Sequence, residues 1–129
     1  MHASRTPLLL TAAGIVICTG CNTNDVCNAI DKTSLIVTVV DSQSGARIDS
    51  GSTVVVTGGG LRDSVVVPDS SRGLPTAVWR ESEVPAGTYS ISVHKSGYAD
   101  WIRNGVVIKR DGCHVTTANL TAALQRSGS

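Results

Sequence analysis

The side chains that could do chemistry in this chain are few: four cysteines (Cys18, Cys21, Cys27 and Cys113), three histidines and two tryptophans in 129 residues. Two cysteines as far apart as Cys27 and Cys113, with only His114 beside one of them, are a poor tetrahedral zinc set. His94 falls on the polar face of an alternating run and reads as a solvated surface residue. His114 adjoins Cys113 and reads as structural. No G-x-S-x-G context presents a serine as a nucleophile. Gly58-Gly59-Gly60 lacks the Lys-Ser/Thr that completes a phosphate-binding loop, so it reads as a flexible hairpin. That leaves Trp79 and Trp101 as possible ligand contacts. Exposed on a β-sheet they could stack on a sugar ring; otherwise they pack at sheet edges. No cofactor and no metal is expected, and no catalytic residue is assigned.

The amino terminus assigns the remaining thiol. Arg5 precedes an apolar run from Pro7 to Ile17, and the small pair Thr19-Gly20 then meets Cys21. This order is that of a secretory signal peptide. A run of about eleven apolar residues is too short for a membrane span, which needs about twenty. Leu8 to Cys21, LLLTAAGIVICTGC, resembles the lipobox of bacterial lipoproteins, with Cys18 where that motif usually carries Leu or another aliphatic residue. The resemblance implies that the Cys21 thiol is acylated, that the chain is cut after Gly20, and that the lipid is the membrane contact. Asn22 is not the Asp that retains some lipoproteins at the inner membrane, so the expected location is the outer membrane of a bacterial cell envelope. Several acyl chains, at about 0.8 kcal/mol per buried methylene, make a stable anchor.

With residues 1–20 removed, ten basic and ten acidic residues remain. They are scattered, so the chain lacks the basic footprint of nucleic-acid binding and a polybasic membrane patch. With Cys18 lost and Cys21 acylated, Cys27 and Cys113 form an even pair in an oxidising compartment. A disulfide between them is expected, closing a loop of about 85 residues worth roughly 4 to 5 kcal/mol by chain entropy.

The elements that must position these residues are strands. Residues 21–33 read as a polar tether. From Ser34 the pattern is period two with β-branched residues. Strands are predicted over Leu35–Val40, Val54–Thr57, Asp63–Val67, Thr76–Arg80, Thr88–His94, Trp101–Lys109 (broken by the turn pair Asn104-Gly105) and Cys113–Leu124. Ala118–Gln125 contains good helix formers, but Val115-Thr116-Thr117 favours a strand. Tyr89, Ile91 and Val93 alternate with Thr88, Ser90, Ser92 and His94, the pattern of an antiparallel sheet with one wet face. Some seven short strands punctuated by Gly, Pro and Asn argue a single all-β sandwich over residues 34–125. The chain has no Phe. Val, Ile and Leu, at roughly 1.5 to 3 kcal/mol per buried side chain, can hold a core of this size.

Two stretches carry a second resemblance. Ile36-Val37-Thr38-Val39-Val40-Asp41 with Gly45-Ala46-Arg47-Ile48 is similar to the opening of carboxypeptidase regulatory-like domains. Gly87-Thr88-Tyr89-Ser90-Ile91-Ser92-Val93 with Ser96-Gly97-Tyr98 is similar to their later G-x-Y strand and x-G-Y turn. The resemblance implies a seven-stranded antiparallel prealbumin-like (transthyretin-like) sandwich used as a non-catalytic module. A hydrolase rival shares that fold: hydroxyisourate hydrolases open on a strand with His before Val-Leu-Asp and end on Tyr-Arg-Gly-Ser. Here the matching positions read Thr38-Val39-Val40-Asp41 and Gln125-Arg126-Ser127-Gly128-Ser129, so the imidazole base is missing. The expectation is a lipid-anchored sandwich that binds an envelope protein or gives structural support. The alternative is a carbohydrate-binding module that uses an exposed Trp.

Overall fold

Val, Ile and Leu recur at alternate positions along several of the predicted strands, and these side chains meet between two sheets. The computed structural model describes residues 30–69 and 77–128. Among them are nine strands: β1 (Thr33–Asp41), β2 (Thr53–Gly58), β3 (Leu61–Val66), β4 (Ala77–Arg80), β5 (Gly87–His94), β6 (Trp101–Ile108), β7 (Arg110–Asp111), β8 (His114–Val115) and β9 (Ala118–Leu124). One sheet has the order β4-β1-β9 and the other β3-β2-β5-β6, while β7 and β8 form a separate two-stranded ribbon. The arrangement is sandwich-like and all-β. Leu35, Val37 and Val39 of β1 face Val54 and Val56 of β2 and Ile91 and Val93 of β5 in one core, with Ala122 and Leu124 of β9 at its side. The helix rival over Ala118–Gln125 does not form, because its apolar residues alternate and β9 buries only Ala122 and Leu124 fully.

The all-antiparallel expectation needs correction. β1 and β9 run parallel, in unbroken register from Leu35 opposite Ala118 to Asp41 opposite Leu124. The cause lies in the connection. β6 runs antiparallel to β5 and ends where the β7–β8 ribbon begins, at the end of the sandwich where β1 starts. β9 must therefore set out in the same direction as β1. A period-two pattern marks which residues face the core and carries no information about the direction of the neighbouring strand.

A second correction concerns Asn104-Gly105. The pair does not break the sixth strand. Tyr89 lies opposite Val106 and Ile91 opposite Arg103, so β6 carries one extra residue there. Gly105 takes φ +68, and the result is a β-bulge. The true tight turn is Gly59-Gly60, both at positive φ, joining β2 to β3 with Gly58 opposite Leu61. A two-residue turn with two positive φ values matches the twist of the flanking strands.

β4 is short and pairs with β1 only as far as Val37. The rest of that β1 edge is covered by the loop that follows Gly45. Asp41 N donates to Ala46 O and Ile48 N to Val39 O. Val39 N donates to Asp49 Oδ1 at 2.9 Å, so a carboxylate stands where a neighbouring strand would offer a carbonyl. Asp49 is buried, and its other oxygen accepts from Arg47 Nε at 2.8 Å. Removing an acceptor from a buried amide costs about 1–3 kcal/mol. Asp49→Ala is expected to destabilise the domain by that amount, and Asp49→Asn, which keeps an oxygen, by less; urea melts of the three proteins measure the order. Equal melts would show that the carboxylate is not what covers this edge.

Candidate functional site

The two ends of the sandwich hold most of its charged contacts. At the end where the described chain enters, β4 turns into β5 through Glu81–Ala86. Glu81 N donates to Lys32 O at 2.8 Å. The Glu81 carboxylate pairs with His114 Nδ1 at 2.9 Å and accepts Val115 N at 3.1 Å and Lys32 N at 3.3 Å. Asp31 accepts Ser82 N at 3.0 Å and Ser82 Oγ at 2.6 Å. One residue, Glu81, thus joins the entering chain, the β4–β5 turn and the β7–β8 ribbon. A shallow cleft of about 440 Å³ opens here, with Asp31, Ser82, Arg110, Cys113 and His114 in its wall.

At the opposite end Asp41, also buried, gathers three segments. Its Oδ1 accepts Gln43 N at 2.9 Å and Ser44 N at 3.1 Å, fixing the turn after β1. Its Oδ2 accepts Tyr98 Oη at 2.9 Å and Arg126 Nε at 2.8 Å. Arg126, with the Ser44 and Gln43 amides, holds the Asp41 carboxyl well below the usual range, and Tyr98 adds to the effect. The partner shift on Arg126 is upward, from the same contact. Asp41 and Tyr98 belong to the two stretches that resemble carboxypeptidase regulatory-like domains, and here they share a hydrogen bond.

A second concavity, of about 460 Å³, lies between the Gly58–Gly60 hairpin and Pro85–Tyr89. Tyr89 is buried, as its place in the alternation requires, and its hydroxyl donates to Pro85 O at 2.7 Å. Burial raises its pKa above the ordinary value. A Cβ on Gly58 would lie 2.6 Å from Thr88 O, so only glycine fits this close approach of backbones.

The residues singled out from sequence fall in different places. Cys21 and Cys27 lie outside the described residues. No two described cysteines lie at disulfide distance, Cys113 being the only cysteine among them, and the expected partner Cys27 lies outside the described residues. Cys113 itself is disulfide-bonded.

Trp79 is 1% exposed, so no sugar ring can stack on it. Its indole nitrogen donates to Asp63 Oδ2 at 2.9 Å, across from β4 to β3. Trp101 is half-buried and carries the Arg103 guanidinium 5.3 Å from its ring centroid. His94 is exposed and pairs with Asp100 at 2.6 Å. His94 and His114 do not meet, and no group of three or more His, Cys, Asp or Glu among the described residues is placed to hold a metal. Sequence reasoning missed Asp49, Glu81 and Arg126. Only Asp49 left a trace, as an acid two residues from a base between two turn-rich stretches. No protein-family model and no curated protein matches the chain.

The electrostatics of Glu81 give a pH dependence. The His114 contact, then the Val115 and Lys32 amides, lower its pKa from 4.5 to about 2. A carboxyl whose pKa is depressed by folding stabilises the folded state above its unfolded value, and that contribution disappears as pH falls through the folded value. The loss therefore runs from about 4.5 down to about 2, and Asp41 adds to it in the same direction below its ordinary 3.8. Thermal melts over this range should show a shallower loss of stability in Glu81→Gln than in the wild type. Parallel curves would mean that the carboxylate is not engaged in solution.

Proposed function

We propose that this chain is an exported lipoprotein of the bacterial envelope, held at the outer membrane by an acylated Cys21. It presents a carboxypeptidase regulatory-like, prealbumin-type sandwich as a non-catalytic binding or structural module for an envelope protein. The observation that carries the reading is where the acidic side chains go. Asp41, Asp49, Asp63 and Glu81 are each engaged by amides or side chains of the fold itself. In these positions they secure turns and edges, the work of a scaffold. The seven strands in sheets of three and four, with Asp41 bonded to Tyr98, support the finer family reading.

The anchor also implies an orientation. Eight residues lie between Cys21 and Ile30, nine steps of chain with a reach of at most about 30 Å. The chain enters the sandwich beside Glu81 and His114, so that end faces the membrane. The opposite end, gathered by Asp41, faces away from it and is open to partners.

Mass spectrometry of the membrane fraction is expected to find acyl mass on a chain that begins at Cys21. Cys21→Ser is expected to leave that fraction or to stay uncleaved. An unacylated wild type with its leader intact overturns the lipoprotein reading.

The glycan alternative has lost its platform at Trp79. Immobilised peptidoglycan is expected to retain the wild type and Trp101→Ala equally poorly. Retention that Trp101→Ala abolishes would reverse the preference between the two readings.

A further inference from the structure

A sheet edge exposes unpaired amides and carbonyls, and natural folds blunt it with short strands, charges, prolines or bulges. The two larger sheets end on four strands, β4, β9, β3 and β6. β4 has four residues and ends on Arg80. β3 carries Arg62 and Asp63, with Pro68 soon after it. β6 is bulged at Asn104-Gly105. β9, Ala-Asn-Leu-Thr-Ala-Ala-Leu, has none of these devices: it is seven residues long and free of charge, proline and glycine, and its register with β1 is unbroken.

The direction of its main chain follows from one hydrogen bond. Leu124 O accepts Ser42 N on the β1 side. Alternate residues point their backbone groups to opposite sides of a strand, so Asn119, Thr121 and Ala123 point theirs away from β1. These three residues are exposed. The carbonyl of Gln125, next in that series, accepts Ala99 N, and Ser127 N donates to Gly97 O. The outward edge is therefore already paired beyond Leu124. Among the described residues, β9 itself pairs only with β1.

We infer that this edge joins β9 of a second copy of the chain, antiparallel about a two-fold axis at Thr121, so that two three-stranded sheets become one of six strands. The edge is its own complement. Thr121 faces Thr121 and Asn119 faces Ala123, with no charge on either side, and the three outward residues supply about six hydrogen bonds in an antiparallel ladder. Thr38 lies opposite Thr121 within each copy, so the joint places four threonines in one row, a favourable cross-strand pairing. Apolar surface adjoins the same edge. Ile102 is 64% exposed and shares a cleft of about 280 Å³ with Ala123, Gln125 and Trp101. The pairing does not depend on the lipid anchor and stands or falls separately from it.

Sedimentation of the full chain in detergent, over a wide concentration range, tests the pairing. The wild type is expected to pass from monomer to dimer. Thr121→Lys sets two ammonium groups against each other on an exposed face and should weaken the dimer at least about tenfold, with an unchanged circular dichroism spectrum. Asn119→Lys/Ala123→Lys and Asn119→Glu/Ala123→Glu should each be monomeric alone and dimerise when mixed, since Asn119 meets Ala123 only in this register. A wild type that stays monomeric throughout, or a dimer indifferent to these changes, overturns the inference. So does a monomer that loses a crosslink to a different envelope protein on Thr121→Lys, which would assign the edge to that protein.

Discussion

The backbone of β1 is the constraint around which the described structure is arranged. It is the middle strand of its sheet, flanked by β4 and β9, and its core-facing side chains are fully buried. Amides and carbonyls in such a place need partners, because an unmet one costs as much as a lost hydrogen bond. β9 supplies one side along the whole overlap. On the other side β4 stops at Val37, and the loop from Ala46 to Asp49 completes the edge, with the Asp49 carboxylate as surrogate carbonyl. Asp41 then closes the strand by folding the following turn back onto its own carboxylate.

Acidic residues take the place of regular structure elsewhere too. Glu81 ties the entering chain to the β7–β8 ribbon, and Asp41 ties the C-terminal segment to two turns. Each is held by several donors at once, which is why both pKa values fall. Among the described residues, no buried side-chain nitrogen or oxygen lacks a partner. A small domain with a core of aliphatic side chains and no Phe gains definition from such contacts: apolar burial is non-directional, whereas a carboxylate with two to four donors admits one arrangement of loops. The same economy leaves β9 distinctive among the described strands, as the sheet edge without a blunting device.

Much of the sandwich was legible in the residues. The alternation of Tyr89, Ile91 and Val93 with Thr88, Ser90 and Ser92 identified β5 and its buried face, and the glycine run after Thr57 marked the hairpin. These features are local, set by a two-residue period and by positive φ. The site was less legible. Trp79 stands next to Arg80 in a short strand, a setting that fits either an exposed ring or one packed at a sheet edge; it is the largest fully buried side chain among the described residues, because β4 lies over the core and Asp63 receives its indole N–H. Asp49 and Glu81 went unremarked in the sequence, since their partners Val39 and Val115 lie 10 and 34 residues away. Asn104-Gly105 has the composition of a turn and became a bulge, because β5 continues opposite both of its sides.

By itself the sequence determined the all-β class, the inward face of strands such as β5, and the glycine hairpin after β2. All of these depend on neighbours within a few positions or on composition alone. Tertiary structure decided the parallel course of β9 beside β1, the split into two sheets and a ribbon, the burial of Trp79, and the use of Asp41, Asp49 and Glu81 as ties. Those outcomes depend on which distant backbone groups are left without partners once the strands have packed, a quantity that exists only when the whole chain is in place.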